Sequence, residues 1–274
     1  MASLSLRSIL IGSVSLFVAV YMTDCGSSAK HATTAGETTV AQTPPTQVSG
    51  QVVARDRALG ERALLRESDF PSEYAAVPRG PKEPPQEERA THLLQMAANC
   101  TRSHDGWTSY APLDAAVLAH KNPATVSEEV GEIGEPPHPK GYIEIESTVT
   151  VEPTVAAAKQ WLSILGQPQI ASCIGEADRT VTIKESPGLQ KAGNSVGKVH
   201  VAQLTVPRHG DQTVAYRLIT PIIAEGHHLS FYLDYVLVRK SRAHVMLTFS
   251  RLDSPVSNAM ERRLTALTAR RLRG

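Results

Sequence analysis

The last third of the chain places the tightest limit on its fold. Four runs of strand-like composition, Val196 to Val206, Thr213 to Thr220, His228 to Arg239 and Ala243 to Ser250, follow one another there. Only Pro207 to Asp211, Pro221 to Gly226 and Lys240 to Arg242 separate them. A parallel return needs a crossover of a dozen or more residues, so spacers this short require neighbouring strands to run antiparallel. Just upstream, Ile143, Ile145, Val149 and Val151 alternate with polar residues over Tyr142 to Val151, the pattern of a half-buried strand. Pro153 suits a first helical turn, and Thr154 to Leu165 predicts a helix burying Val155, Ala158, Trp161, Leu162 and Leu165, closed by Gly166 and Pro168. From Pro255 onward Val256, Met260, Leu264 and Leu267 recur every three or four residues opposite Arg262, Arg263 and Arg270, which predicts a final helix lying on one sheet face. The fold class expected is α+β: an antiparallel β-sheet meander packed with helices.

The front of the chain is less regular. Ala54 to Arg66 has helix formers with Leu59, Ala63 and Leu64 on one side, weakened by Gly60 and stopped by Asp69-Phe70-Pro71. A second helix is expected over Glu87 to Cys100, with Leu93, Leu94, Ala97 and Ala98 as its stripe. Between Thr101 and Lys140 the pattern is poor, with a strand expected over Leu113 to Ala119 and a proline turn over Glu135 to Pro139. No repeat at a solenoid period is present.

Residues 1–24 read as a signal peptide. The uncharged run Ile9 to Met22 has 14 residues, about 21 Å of helix, short of the roughly 30 Å hydrocarbon core. Met22-Thr23-Asp24-Cys25-Gly26 then resembles a bacterial lipoprotein processing site, with Cys25 as the lipidated residue. Asp24 departs from the small neutral residue such a site takes, which leaves an uncleaved anchor or release of the protein as alternatives. If acylated, the chain would hold a membrane firmly, at roughly 0.8 kcal/mol per buried CH₂. Residues 25–50 are rich in Thr, Ala, Ser and Gly and form a flexible tether, and residues 51–274 a single folded domain. With Cys25 set aside, Cys100 and Cys173 are a natural pair. Closing 73 residues between them would restrict the unfolded chain by roughly 4 kcal/mol, and two buried free thiols are the alternative.

Charge names no partner. Lys plus Arg number 28 against 27 Asp plus Glu, so nothing draws the whole chain to nucleic acid. His227, His228, His244, His200 and His209 lack the convergent spacing of a metal site and read as turn-exposed histidines. His209 and Asp211, with Ser195 or Ser230, are the nearest approach to a nucleophilic triad, but no activated-serine motif accompanies them. Gly210-Asp211 reads instead as a hairpin turn, with Gly at positive φ and Asp bonding back to the backbone. Glu144 and Glu146 share one strand face, as an acid–base pair would and as any solvated face does. Arg262, Arg263, Arg270, Arg271 and Arg273 form a basic helix face, read first as solvated and second as a contact for anionic lipid headgroups.

Several short motifs together resemble the extracytoplasmic sensor-like domains of actinobacteria, found as stand-alone lipoproteins and as outer domains of receptor serine/threonine kinases. They are Leu64-Leu65 followed by Asp69-Phe70-Pro71, a helix ending at Cys100, and the strand and alanine-rich helix from Glu144 to Leu165 leading to Cys173. Gly210-Asp211, Val214-Ala215-Tyr216-Arg217 and Val238-Arg239 complete the set, which spans roughly residues 60 to 272. The resemblance implies an antiparallel sheet packed with helices, a Cys100–Cys173 disulfide, and ligand binding or sensing without catalysis or cofactor. The kinase segment of the receptor version has no counterpart in this sequence. The expected partners are a membrane lipid anchor and a small envelope ligand. An adaptor docking on an envelope protein is the alternative function, and a secreted hydrolase a third.

Overall fold

The structure, a computed structural model, describes residues 50–72, 74–76, 125–132, 143–185, 189 and 193–272. The expected signal peptide, the tether up to residue 49, the helix over Glu87 to Cys100, the strand over Leu113 to Ala119 and the turn over Glu135 to Pro139 lie outside the described residues. Helix α1 (Gly50–Ala63) is followed by a 3-10 turn and by strands β1 (Tyr74–Ala76), β2 (Thr125–Glu132) and β3 (Ile143–Val151). Helices α2 (Val155–Leu165) and α3 (Pro168–Glu185) come next. Strands β4 (Ser195–Val196), β5 (His200–Gln203), β6 (Gln212–Ala224), β7 (His227–Lys240) and β8 (Ala243–Leu252) precede the last helix, α4 (Asn258–Arg271).

Every strand pairing is antiparallel, in the order β1-β2-β3-β8-β7-β6, with β4 and β5 sharing the outer edge of β6. The class is α+β, as the short spacers require. The sheet is not a plain meander, because β3 inserts beside β8, at the end of the β6-β7-β8 run. The turns that make the run are tight: Ala224 pairs with His227 around Glu225 (φ +53°) and Gly226 (φ +79°), and Lys240 pairs with Ala243 around Ser241 (φ +54°).

Three sequence expectations are corrected. The segment from Pro221 is strand up to Ala224 rather than loop, because Pro221 lacks only a donor and its carbonyl still accepts the Gly197 N–H at 2.7 Å. Pro168 opens α3 instead of merely closing α2, since proline at a first helical position gives up an N–H that has no partner in the helix. Val155 is 48 % exposed and lies off the buried stripe of α2, which runs through Ala158, Trp161, Leu162 and Leu165. Thr154 caps that helix, its hydroxyl accepting the Ala157 N–H at 3.0 Å.

The two sheet faces are covered differently. One face presents Ile145, Val149, Val236, Val238, Val245, Leu247 and Phe249, beneath Ala63, Leu65 and the α4 residues Leu264 and Ala269. α4 grips the segment that follows α1: Arg271 holds Asp69 by two bonds of 2.7 and 2.6 Å and the Leu64 carbonyl at 2.8 Å, while Arg263 takes the Asp69 carbonyl. Two members of the expected basic face are therefore engaged in packing rather than free for lipid. The second face presents Tyr216, Leu218, Leu233, Tyr235 and Leu237 beneath Trp161, Leu162 and Leu165 of α2 and Ile170, Ala171 and Ile174 of α3.

Candidate ligand-binding site

Register orders the second face into cross-strand rows. Tyr216 pairs with Tyr235, Tyr235 with Thr248 and Thr248 with Glu146. Two residues along the strands, Val214, Leu237, Met246 and Thr148 form the next row, and two further Gln212, Arg239, His244 and Thr150 the one after. The face thus changes from apolar on β6 and β7 to polar on β8 and β3, and that gradient comes from period-two alternation in each strand.

A small pocket of about 20 Å³ sits near this boundary. Leu165 of α2 and Ile174 of α3 form its roof; Leu233, Tyr235 and Leu237 of β7 with Met246 and Thr248 of β8 form its floor. In this conformation it has room for little more than a water-sized group. Tyr235 is 4 % exposed, and its hydroxyl is buried with no hydrogen-bond partner among the described residues. Burial, and then the neighbouring Tyr216, hold its phenol well above the ordinary value, so it is a neutral O–H. Tyr216, its ring centroid 5.7 Å away, instead donates to the Gly166 carbonyl at the end of α2. Two tyrosines side by side therefore differ: one is bound to the protein, and the other keeps an unused buried donor.

Beyond the pocket the polar rows are buried at Thr150, Arg239 and His244 and half-buried at Glu146, Thr148 and Gln212. Glu144 is 7 % exposed, so the expected solvated strand face is corrected: it shares a face with Glu146 but lies inside the protein. Sequence alternation marks which face a carboxylate takes and carries no signal for what lies over it. His244 is likewise buried rather than turn-exposed; its ring stacks on Trp161 at 4.6 Å, with Glu152 Oε1 4.0 Å from Nδ1. Burial pushes the Glu152 carboxyl up to about 7. His200, His227 and His228 are exposed as expected, and His209 is half-buried. Among the described residues no group of His, Cys, Asp and Glu is arranged to hold a metal ion.

The triad candidates are not brought together. Asp211 and His209 flank the β7–β8 turn, whereas Ser230 pairs with Pro221 and Ser195 with Ile223 at the other end of β6. Nine residues along β6 separate the Gln212–Arg239 and Pro221–Ser230 pairs, roughly 30 Å. Asp211 bonds across to that turn, accepting from Ser241 N at 2.8 Å, Lys240 Nζ at 3.0 Å and Arg239 Nη1 at 3.3 Å. The Gly210-Asp211 reading is corrected accordingly: Gly210 has positive φ, but it ends a loop from β5 to β6 and Asp211 serves the neighbouring turn.

On the first face, Arg217 forks onto Asp234 with bonds of 2.7 and 2.6 Å and lies 3.7 Å from Glu261 of α4. Asp234 is fully buried and Glu261 is 4 % exposed. Burial first, then the hydrogen bond to Asp234 and its charge, push Glu261 from 4.5 up to about 8. The fold therefore keeps a proton that the unfolded chain releases above about 4.5, so stability falls as pH rises from there to about 8. Glu152, raised to about 7, adds to the same slope. Glu261→Gln keeps a donor facing Asp234 without titrating, and the expected result is a flatter curve of melting temperature against pH between about pH 5 and 9. A slope as steep as that of the unaltered chain would assign the proton elsewhere.

Cys173 is buried on α3 and disulfide-bonded, while Cys25 and Cys100 lie outside the described residues. Among the described residues no helix is long and apolar enough to cross a membrane.

No protein-family model matches the chain, and no curated protein does. Among solved structures it is similar to LpqN of Mycobacterium tuberculosis, a protein involved in cell envelope biogenesis, at 10 % identity and a TM-score of 0.24. That match covers 52 % of this chain and 67 % of the other. No family membership follows for this chain, and a likeness at that TM-score carries no argument about its fold or its activity.

Proposed function

We propose that this chain is an exported envelope protein, tethered to the membrane through Cys25, whose folded domain binds a slim, mostly apolar ligand without catalysis. The ligand lies between the second sheet face and helices α2 and α3. In this reading Cys100 is the partner of Cys173, and the crosslink ties α3, one wall of the pocket, to the front of the chain. The sensor-like resemblance is consistent with such a role, and the near-equal balance of charges offers no attraction for nucleic acid.

The observation that carries the reading is the Tyr235 hydroxyl. An unpaired buried donor costs about 1–3 kcal/mol, and a binding pocket of mostly apolar walls with a few placed polar groups is where such a cost serves a purpose. The pocket walls exposed in this conformation are apolar, so a ligand oxygen would meet that hydroxyl once the roof lifts, with the aliphatic part against Leu165, Leu237 and Met246. Because the pocket is small as it stands, ligand entry requires α2 and α3 to move outward from the sheet.

Native mass spectrometry of the full chain purified from its own membranes tests this. The expected spectrum shows the acylated protein with a co-purifying small molecule that is lost on denaturation, and a clean ligand-free mass would count against binding. Tyr235→Phe sharpens the test. The unliganded protein should gain about 1 kcal/mol, or roughly 2–4 °C in melting temperature, while ligand occupancy falls. A destabilised Tyr235→Phe protein would mean that the hydroxyl already has a partner, and the site would be lost as a candidate.

A further inference from the structure

We infer that the ligand carries an anionic head, a carboxylate or a phosphate, which seats on the Nε–Nη2 edge of Arg239. This rests on the binding reading above and adds the class of ligand. Arg239 lies on the same face of β7 as the pocket but outside its lining, two residues beyond Leu237 and four beyond Tyr235, about 7 and 14 Å along the strand. It is 8 % exposed. A guanidinium stays charged at any physiological pH, so burying it calls for a counter-charge and for acceptors on its N–H groups.

Arg239 is only partly supplied with these. Both of its side-chain bonds leave from one nitrogen: Nη1 donates to Asp211 Oδ2 at 3.3 Å and to the Ser241 carbonyl at 3.2 Å. Its Nε is buried without a partner among the described residues, and Nη2 donates to none of them. That edge carries two parallel N–H groups whose spacing matches two oxygens of a carboxylate or phosphate. Its counter-charge is also shared, because Asp211 accepts from Lys240 at 3.0 Å and from Ser241 N as well. Arg208, close by in the chain, donates to the Asp211 backbone carbonyl. Two cations, Arg239 and Lys240, thus share one carboxylate. Across the row from Arg239 is His244, stacked on Trp161 and facing Glu152.

An amphiphile fits this layout: a head at Arg239 and a chain running past Leu237 to Met246 and Leu165. Fatty acids and lipid phosphates share that chemistry, and the experiment separates them. The full chain carrying Cys25→Ser, which removes the lipid site, is titrated with laurate, lauroyl glycerol phosphate and neutral monolauroylglycerol, each below its micelle concentration. The expected result is binding of at least one anionic probe about tenfold or more tighter than the neutral one. Whichever anion binds tighter names the head, carboxylate or phosphate. In Arg239→Lys, which keeps a charge facing Asp211 but removes the fork, that preference should shrink several-fold. Equal affinity for all three probes would overturn the anionic head and leave the pocket standing; binding of none of them would overturn both readings.

Discussion

Asp234→Ala is expected to lower stability by about 3–5 kcal/mol, the usual cost of removing one partner from a buried ion pair. The reason is what stays behind. Arg217, its side chain 18 % exposed, loses both bonds of its fork, and Glu261 loses the carboxylate with which it hydrogen-bonds. Their elements, β6 and α4, are two of the three that meet there, so α4 should loosen from the sheet first. Hydrogen exchange along 258–271 would show this, alongside a fall in melting temperature of roughly 10 °C, from about 2–4 °C per kcal/mol in a domain this size. The companion variant Arg217→Met with Asp234→Leu removes both charges and should recover much of the loss, because apolar replacements of buried pairs are often neutral. If Asp234→Ala is as stable as the unaltered chain, the cluster is not the anchor of α4.

Among the described glycines, Gly210→Ala should be the most damaging substitution, at about 2–4 kcal/mol. Two costs coincide at that position. Its φ of +67° is a left-handed conformation that L side chains adopt only with strain, on the order of 1–2 kcal/mol. A Cβ there would also stand 2.4 Å from the Arg239 carbonyl oxygen and 3.3 Å from Val238 Cγ1. The carbonyl cannot yield easily, since it also accepts the Asp211 N–H at 2.8 Å. Gly226 is the control: its φ is +79°, but a Cβ there meets nothing within 4 Å. Gly226→Ala should therefore cost only the conformational strain. Denaturant midpoints of the two variants make the comparison, and equal losses would show that the approach to Arg239 is unimportant.

The same loop shows where reading residues alone stops. Glycine at position 210 signals positive φ from sequence, and so it proved. That its neighbour Asp211 clamps the turn between β7 and β8 needs segments some 30 residues apart to be side by side, and no local pattern carries that. β2 is a similar case. Its sequence, TVSEEVGE, has no clear alternation, and its strand character depends on pairing with β3. Helix α3 was hidden by a proline that reads as a stop signal until its position in the helix is known. Tyr235 was an unremarked member of a strand-like run, and Arg239 entered only as the end of a short family motif. The signal that could have raised them is their placement two residues to either side of Leu237 in a largely apolar strand, which puts a hydroxyl and a guanidinium on a face that must be covered.

What the amino-acid sequence determined by itself is local: strand alternation in β3, most of the buried stripe of α2, the final amphipathic helix, and antiparallel pairing forced by short spacers. These follow because backbone period and loop reach act over a few residues. The tertiary structure alone decided which polar side chains are covered, which of two adjacent tyrosines finds a carbonyl, and which edge of Arg239 is left open. Burial and hydrogen-bond satisfaction depend on what distant parts of the chain bring to a surface, and that information exists only once the sheet has both faces packed.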